Sequence, residues 1–261
     1  MDGRSAGKRL REPAKARPRV EDGLPAATLH SLRVPRVATK AALCAVAATA
    51  LLSACSFTPE AGEESYSVTE PVTSLRIDNQ AGSIEVVPGS GETVNVMETY
   101  EYGDHAPLTR HSVADGELVL TNPGCGPRAL VCRVSYRVEV PASTTTHLTI
   151  GAGGIQVRGL SGTTYAKAEA GSVKVADSSA RTMTAIADGG NVTASFKVVP
   201  DRVDANTAAG NVTVRVPEGV YDVDPRTEAG LRSVSVQTDA ASPHQIKAHT
   251  EAGDVSVEYT G

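Results

Sequence analysis

Tryptophan is absent from this 261-residue chain, and two phenylalanines and seven tyrosines are its only aromatic carbocycles. Sugar-stacking and base-stacking surfaces need exposed aromatic faces, so neither is well provided for. Helical periodicity is missing as well. No stretch beyond residue 55 repeats its apolar residues at three- and four-residue spacing. Catalytic signatures are equally scarce. Beyond residue 54 the chain holds no nucleophile elbow, zinc-protease helix, phosphate loop or dinucleotide fingerprint, and nothing there calls for a cofactor. The Gly-rich GAGGIQVRG at 151–159 leads into a strand pattern instead of a helix, which removes it as a phosphate cradle.

Positive charge is deficient where it would matter most. Residues 55–261 hold 15 Lys/Arg against 26 Asp/Glu, while residues 1–54 hold 10 against 4. An acidic body excludes nucleic acid as a partner, because phosphate binding needs a basic surface.

The basic N-terminal stretch has its own logic. Arg33, Arg36 and Lys40 precede an apolar run from Ala41 to Leu52 that ends in Leu52-Ser53-Ala54-Cys55. That is a positive n-region, a short h-region and a small-residue cleavage site. The run is shorter than the ~20 residues a membrane-spanning helix needs. A cysteine directly after Leu-Ser-Ala resembles the lipobox of bacterial lipoproteins. The resemblance implies diacylglycerol transfer to the Cys55 thiol and cleavage before it. The expected product is an extracytoplasmic, surface-displayed protein anchored to the bacterial cell membrane by lipid. Residues 1–32 are polar and too long for an n-region, which points to a translation start nearer Val34 or Val37. The expected divisions are a signal region at 1–54, an anchor and linker at 55–71, an N-terminal β-sheet portion at 72–146 and a repeat portion at 147–261.

Four cysteines then sort themselves. Cys44 leaves with the signal and Cys55 carries lipid, so Cys125 and Cys132 remain, in a compartment that permits disulfides. Closing their short loop contributes about 2.5 kcal/mol on the chain-entropy account. A metal site is the alternative, but no histidine or third cysteine sits at ligand spacing.

What the chain has in abundance is a Gly turn followed by alternating valines. EAGSVKV at 169–175 has near-copies, with turn glycines at Gly153, Gly171, Gly190, Gly210, Gly230 and Gly253. The steps are 18, 19, 20, 20 and 23 residues, a repeat period near 20. Two and four residues past the glycine come Ile155/Val157, Val173/Val175, Val192/Ala194, Val212/Val214 and Val255/Val257. The Gly230 copy reads as carrying two extra residues, so that Val234 and Val236 take those places. Polar residues alternate with the apolar ones before and after the turn, so each unit is strand, turn, strand. An antiparallel meander and a β-solenoid both fit this pattern. The column five residues before the glycine decides between them: Ala166, Ala185, Ala205 and Ala248, with only Leu148 and Pro225 departing. Coils stacked ~4.8 Å apart need such small residues, and a meander does not. The expected fold is therefore all-β, a solenoid of ~20-residue rungs. An N-terminal sheet should continue it, with a first repeat copy at 75–86 and longer strands at 93–102, 117–121 and 131–140.

The run YRVEVPASTTTHLTIGAGGIQVRGLSG at 136–162 resembles the bacterial "putative adhesin" β-strand-repeat domain family, across roughly residues 72–259. The resemblance implies the fold and an adhesion or binding role. It brings no active-site residues.

Two carboxylate groupings remain as candidates for chemistry. Glu169, Asp188, Glu228 and Glu251 stand two residues before their glycines, with Ala208 breaking the row. Stacked along one corner they would repel one another and recruit a divalent cation, or simply solvate the corner. Asp204 and Asp224 share an outward column near Arg226, Lys247 and His249, and paired acids on a β-helix can serve polysaccharide hydrolysis or elimination. Three functions are thus expected to compete. The first is a non-enzymatic scaffold or adhesion module, and the second a polysaccharide-active enzyme using Asp204 and Asp224. The third is an envelope stress or signalling lipoprotein bound to another envelope protein.

Overall fold

The computed structural model describes residues 59–126 and 129–261, so the expected signal region and Cys55 lie outside the described residues. Every regular element among those residues is a β-strand. The N-terminal portion supplies β1 (Glu60–Val68), β2 (Ser74–Pro88), β3 (Val94–Tyr102), β4 (Arg110–Ala114), β5 (Glu117–Asn122) and β6 (Cys132–Val140). The repeats supply β7 (Thr145–Arg158), β8 (Thr164–Ala170), β9 (Val173–Ser178), β10 (Thr182–Gly189), β11 (Val192–Phe196) and β12 (Arg202–Ala209). They continue with β13 (Val212–Val216), β14 (Val220–Ala229), β15 (Arg232–Val234), β16 (Gln237–Thr238), β17 (Gln245–Ala252) and β18 (Val255–Tyr259).

The repeat strands pair in parallel, one coil upon the next, as a solenoid requires. The alanine column is a physical stack: Leu148 pairs with Ala166, Ala166 with Ala185, Ala185 with Ala205, Ala205 with Ala248 and Ala248 with Pro225. All four alanines are fully buried. Each coil has two arms that meet at its glycine, and their inward side chains share a single core. Residues Val192, Val212, Val214 and Val255 are each 1 % exposed or less, while the intervening Thr213 reaches solvent. This is the period-two alternation read from the sequence.

Stacking order, however, departs from chain order. β12 and β13 pair with β17 and β18, and these in turn pair with β14 and β15. The last repeat in sequence is thus inserted between the Gly210 and Gly230 coils. This corrects the expectation that Val212 neighbours the Val234 rung, since its partner is Val255. The expected two-residue insertion after Gly230 is corrected too. Arg232 pairs with Val255 and Val234 with Val257, so the register is unshifted and an arginine occupies a valine place.

Side-chain bonds explain the order. At the residue after each glycine, an acceptor receives the backbone N–H of the next coil. Ser172 Oγ accepts from Asn191 (3.0 Å), Asn191 Oδ1 from Asn211 (2.8 Å), Asn211 Oδ1 from Asp254 (2.9 Å) and Asp254 Oδ1 from Leu231 (2.8 Å). Leu231 has no acceptor to offer, so the ladder ends there. A second set runs from threonines three residues before the glycine to the glycine carbonyl of the coil beneath. Thr207 donates to Gly190, Thr250 to Gly210 and Thr227 to Gly253. Pro225 is the third mark of an end. The Asp222 N–H donates to His244 at 2.9 Å, so by strand alternation the Pro225 nitrogen faces the open edge, where no N–H is needed. The Gly230 coil is therefore a terminator by composition, and the Gly253 coil, with all the features of an interior one, slots in beneath it.

The glycine spine tolerates no side chain. Gly210 has φ of 148°, and a Cβ there would stand 2.2 Å from the Gly190 carbonyl oxygen. A positive φ and close coil-to-coil approach both demand glycine at this bend.

At the other end, β2 is already a full coil, in register with β7 from Ser74–Thr145 to Val86–Val157. The first coil thus includes the 75–86 stretch read as a first repeat copy. Two short layers cap it. On one arm β5 pairs with β2, and β4 folds back on β5 through Asp115 (φ 52°) and Gly116 (φ 76°), a two-residue hairpin turn. On the other arm β6, β3 and β1 follow, the last two antiparallel. The expected linker at 55–71 is corrected over Glu60–Val68, because β1 finds nine pairing partners along β3.

Candidate functional site

A concavity crosses the upper coils. It holds about 630 Å³ and is lined by Asp188, Asn206, Ala208, Arg226, Arg232, His249 and Glu251, among others. Outward rows of the first arm form its floor. Ile186 pairs with Asn206, Asn206 with His249 and His249 with Arg226, so four successive coils each present one side chain. The corner carboxylates flank this row. Their spatial order is Glu169, Asp188, the Ala208 gap, Glu251 and Glu228, which leaves Glu251 and Glu228 as neighbours. Lys167 Nζ lies 3.8 Å from Asp188 Oδ2 and offsets part of the charge. Among the described residues no three His, Cys, Asp or Glu side chains converge as metal ligands.

The second expected grouping is not assembled as a pair. Asp204 pairs with Lys247 and Lys247 with Asp224, so a lysine coil separates the two acids. Each has its own partner. Asn206 donates to Asp204, while Arg226 Nε lies 2.9 Å and His249 Nε2 3.4 Å from the two oxygens of Asp224. The Arg226 hydrogen bond holds the Asp224 carboxyl below the usual carboxylate range, against a smaller opposing effect of burial. A carboxylate held ionised accepts hydrogen bonds and does not donate a proton. The hydroxyls of Thr207, Thr250 and Thr227 are committed to glycine carbonyls, so none stands beside a base as a nucleophile. What the groove offers is a row of donors and acceptors of both signs.

One polar cluster was not foreseen. Glu98, 2 % exposed, accepts hydrogen bonds from the hydroxyls of Tyr66 and Tyr100, each at 2.7 Å. Tyr136 lies directly across the strand pair from Glu98 and is 1 % exposed. Burial first, then the nearby carboxylate, pushes the Tyr66 and Tyr136 hydroxyls above their ordinary range. The signal was present in sequence as a glutamate at an inward place of the strand Val94–Tyr102, between Val96 and Tyr100. Cys125 and Cys132 are joined as a disulfide with Cα atoms 5.7 Å apart, where the chain passes from β5 to β6.

Comparison with known proteins gives one family match and several distant structural likenesses. No curated protein matches the chain. A solved structure from Clostridium sporogenes, described as a "putative cell adhesion protein", is 16% identical, with 78% of this chain and 100% of that chain covered and a TM-score of 0.44. Another from Bacteroides fragilis, a "putative adhesin", is 13% identical, covering 78% of this chain and 99% of that one with a TM-score of 0.41. The family described as Toastrack DUF4097 matches residues 135–258, from within β6 to the end of the inserted coil. Residues 135–258, just under half of the chain, thus resemble the Toastrack DUF4097 family.

Proposed function

We propose that this protein is a non-enzymatic binding module, a lipoprotein held at the bacterial cell membrane through Cys55, whose upper coils grip an extended segment of another envelope protein. The observation that carries this reading is the mixed-charge groove across four coils, from Ile186 and Asp188 to Arg226 and Glu228. A polypeptide offers side chains of both signs and backbone amides at comparable spacing, which suits such a row. A polysaccharide would find little to stack on, since the groove lining includes no Trp, Tyr or Phe. The separation of Asp204 from Asp224 by Lys247 likewise favours binding over glycosidic chemistry.

The test places a photo-crosslinking residue at Ala208, at the gap in the carboxylate row, in living cells. A single protein adduct is expected, and it should disappear when Arg226→Glu and Glu251→Lys are added. A crosslinker at Thr213, on the other arm, should give none. Absence of any Ala208 adduct, or an adduct indifferent to the charge reversals, overturns the reading. Retention of the purified protein on envelope polysaccharide without a protein adduct would replace it with the carbohydrate one.

A further inference from the structure

Two exposed leucines stand at one end of the N-terminal cap, and strand pairing relates that end to the anchor. β1 begins at Glu60, which pairs with Tyr102, and Tyr102 pairs with Cys132. With strands ~4.8 Å apart, the start of β1 lies about 5 Å from Tyr102 and about 10 Å from Cys132. The two loops that leave this end are tied together. The Gly103 N–H donates to the Val131 carbonyl at 3.1 Å, and a cleft of about 600 Å³ separates Asp104, His105, Ala106 and Leu108 from Pro123–Gly126. Leu108 is 66 % exposed and Leu130 87 %, the latter the most exposed large apolar residue among the described residues. Both stand where water gains nothing from them.

We infer that this loop end rests on the bilayer, with Leu108 and Leu130 entering its interfacial layer. The inference builds on the lipid-anchor reading of Cys55 and adds an orientation to it. Only five residue steps separate Cys55 from Glu60, a reach of at most about 18 Å, so a lipid on Cys55 keeps the start of β1 beside the membrane surface. Near that end Arg133 pairs with Glu101 at 3.2 Å. Tyr102 adds an aromatic ring with a polar tip, the side-chain type suited to the membrane–water boundary. The other exposed leucine, Leu231, sits on the terminal coil. Six coil spacings separate that coil from the first, roughly 29 Å, and no such tether holds it near the surface. The occupant is therefore the bilayer that carries the anchor. Reversible insertion of a few apolar side chains beside a covalent lipid is enough to fix how the module stands.

The native chain contains no tryptophan, so a single introduced one reports its own surroundings. The lipidated protein is reconstituted in phosphatidylcholine–phosphatidylglycerol vesicles as Leu130→Trp, with Leu231→Trp as the distant control. The Leu130→Trp emission should shift to the blue and lose roughly twofold in intensity when the acyl chains are brominated, and the control should do neither. Vesicle flotation reads anchoring separately. If the protein floats while Leu130→Trp behaves like the control, the orientation is wrong and the anchor stands. A blue shift without bromine quenching means that a second copy or another protein covers the leucines, which also overturns it. A purified protein that carries no lipid on Cys55 and does not float removes both readings together.

Discussion

The interior coils and the terminal coil are written in nearly the same letters, yet they do opposite work. An interior coil such as 245–259 offers Ala248 to the small column, Val255 and Val257 to the core, Thr250 to a glycine carbonyl and Asp254 as acceptor to the next coil. The coil at 220–234 keeps the glycine and the threonine bond, replaces three of the other places with Pro225, Leu231 and Arg232, and leaves Val234 exposed. Each replacement removes something that a further coil would need: an N–H, an apolar contact or an acceptor. Open sheet edges invite unwanted pairing, and prolines and charges blunt them. Termination here is local in sequence and global in effect, because it decides which repeat lies outermost.

The largest effect should come from breaking an interior place and its terminal equivalent in the same way. Val212→Asp buries an unpaired carboxylate and should cost about 3–5 kcal/mol. Arg232→Asp, at the matching place of the terminal coil, should cost under about 0.5 kcal/mol. Hydrogen exchange should show β11 and β18 losing protection first in the Val212 variant, since those strands flank it. Early loss in β15 instead would contradict the coil order. Next in size is Gly210→Ala, where strain and the clash with the Gly190 carbonyl should lower stability by about 2–4 kcal/mol by chemical denaturation. A loss below that of an ordinary surface substitution would show that the spine can yield.

Removing a rung of the acceptor ladder sharpens the contrast further. Asn211→Ala leaves the Asp254 N–H without its partner and should cost about 0.5–1.5 kcal/mol. Leu231→Ala, which bears no acceptor, should be close to neutral. Equal losses for the two would mean that the ladder adds nothing to stability. The smallest effect is electrostatic. Arg226 depresses the folded-state titration of Asp224, so this pair stabilises the fold above the unfolded carboxylate value near ~3.9 and loses that contribution as pH falls through the lower folded value. Asp224→Asn should therefore flatten the acid side of a thermal-stability profile slightly. An unchanged profile would show the pair to be fully screened.

The solenoid itself was legible because its evidence is columnar. Four buried alanines at one offset, and glycines at another, make sense only if coils stack in register, and they do. Coil order was not legible by the same route. The interior repeats all satisfy the same columns, so alignment by offset cannot say which of them touches which. The departures at Pro225, Leu231 and Arg232 held the answer, but read as an insertion they pointed to a bulge and not to an end. The candidate site shared that fate. Asp204 and Asp224 do occupy one column, yet their separation follows from the insertion of Lys247's coil. The buried Glu98 was overlooked because a glutamate among alternating strand residues reads as a solvent-facing one until the opposite arm is in place.

The insertion of β17 and β18 beneath β14 and β15 also dictates the order in which the molecule can be completed. A stack whose spatial and chain orders agree can grow coil by coil as the polypeptide emerges. Here residues 220–234 emerge ahead of the coil they must rest on, and their native seat exists only once 245–259 have been delivered. Until then Val212 and Val214 have no cover from above, and the outermost coil waits on residues 245–259. Native contacts between Ala205 and Ala248 span 43 residues, and closing such distant pairs is slow compared with local turns. A chain cut short after Thr238 would lose an interior layer and not an outer one, so residues 245–259 act as the keystone of the stack.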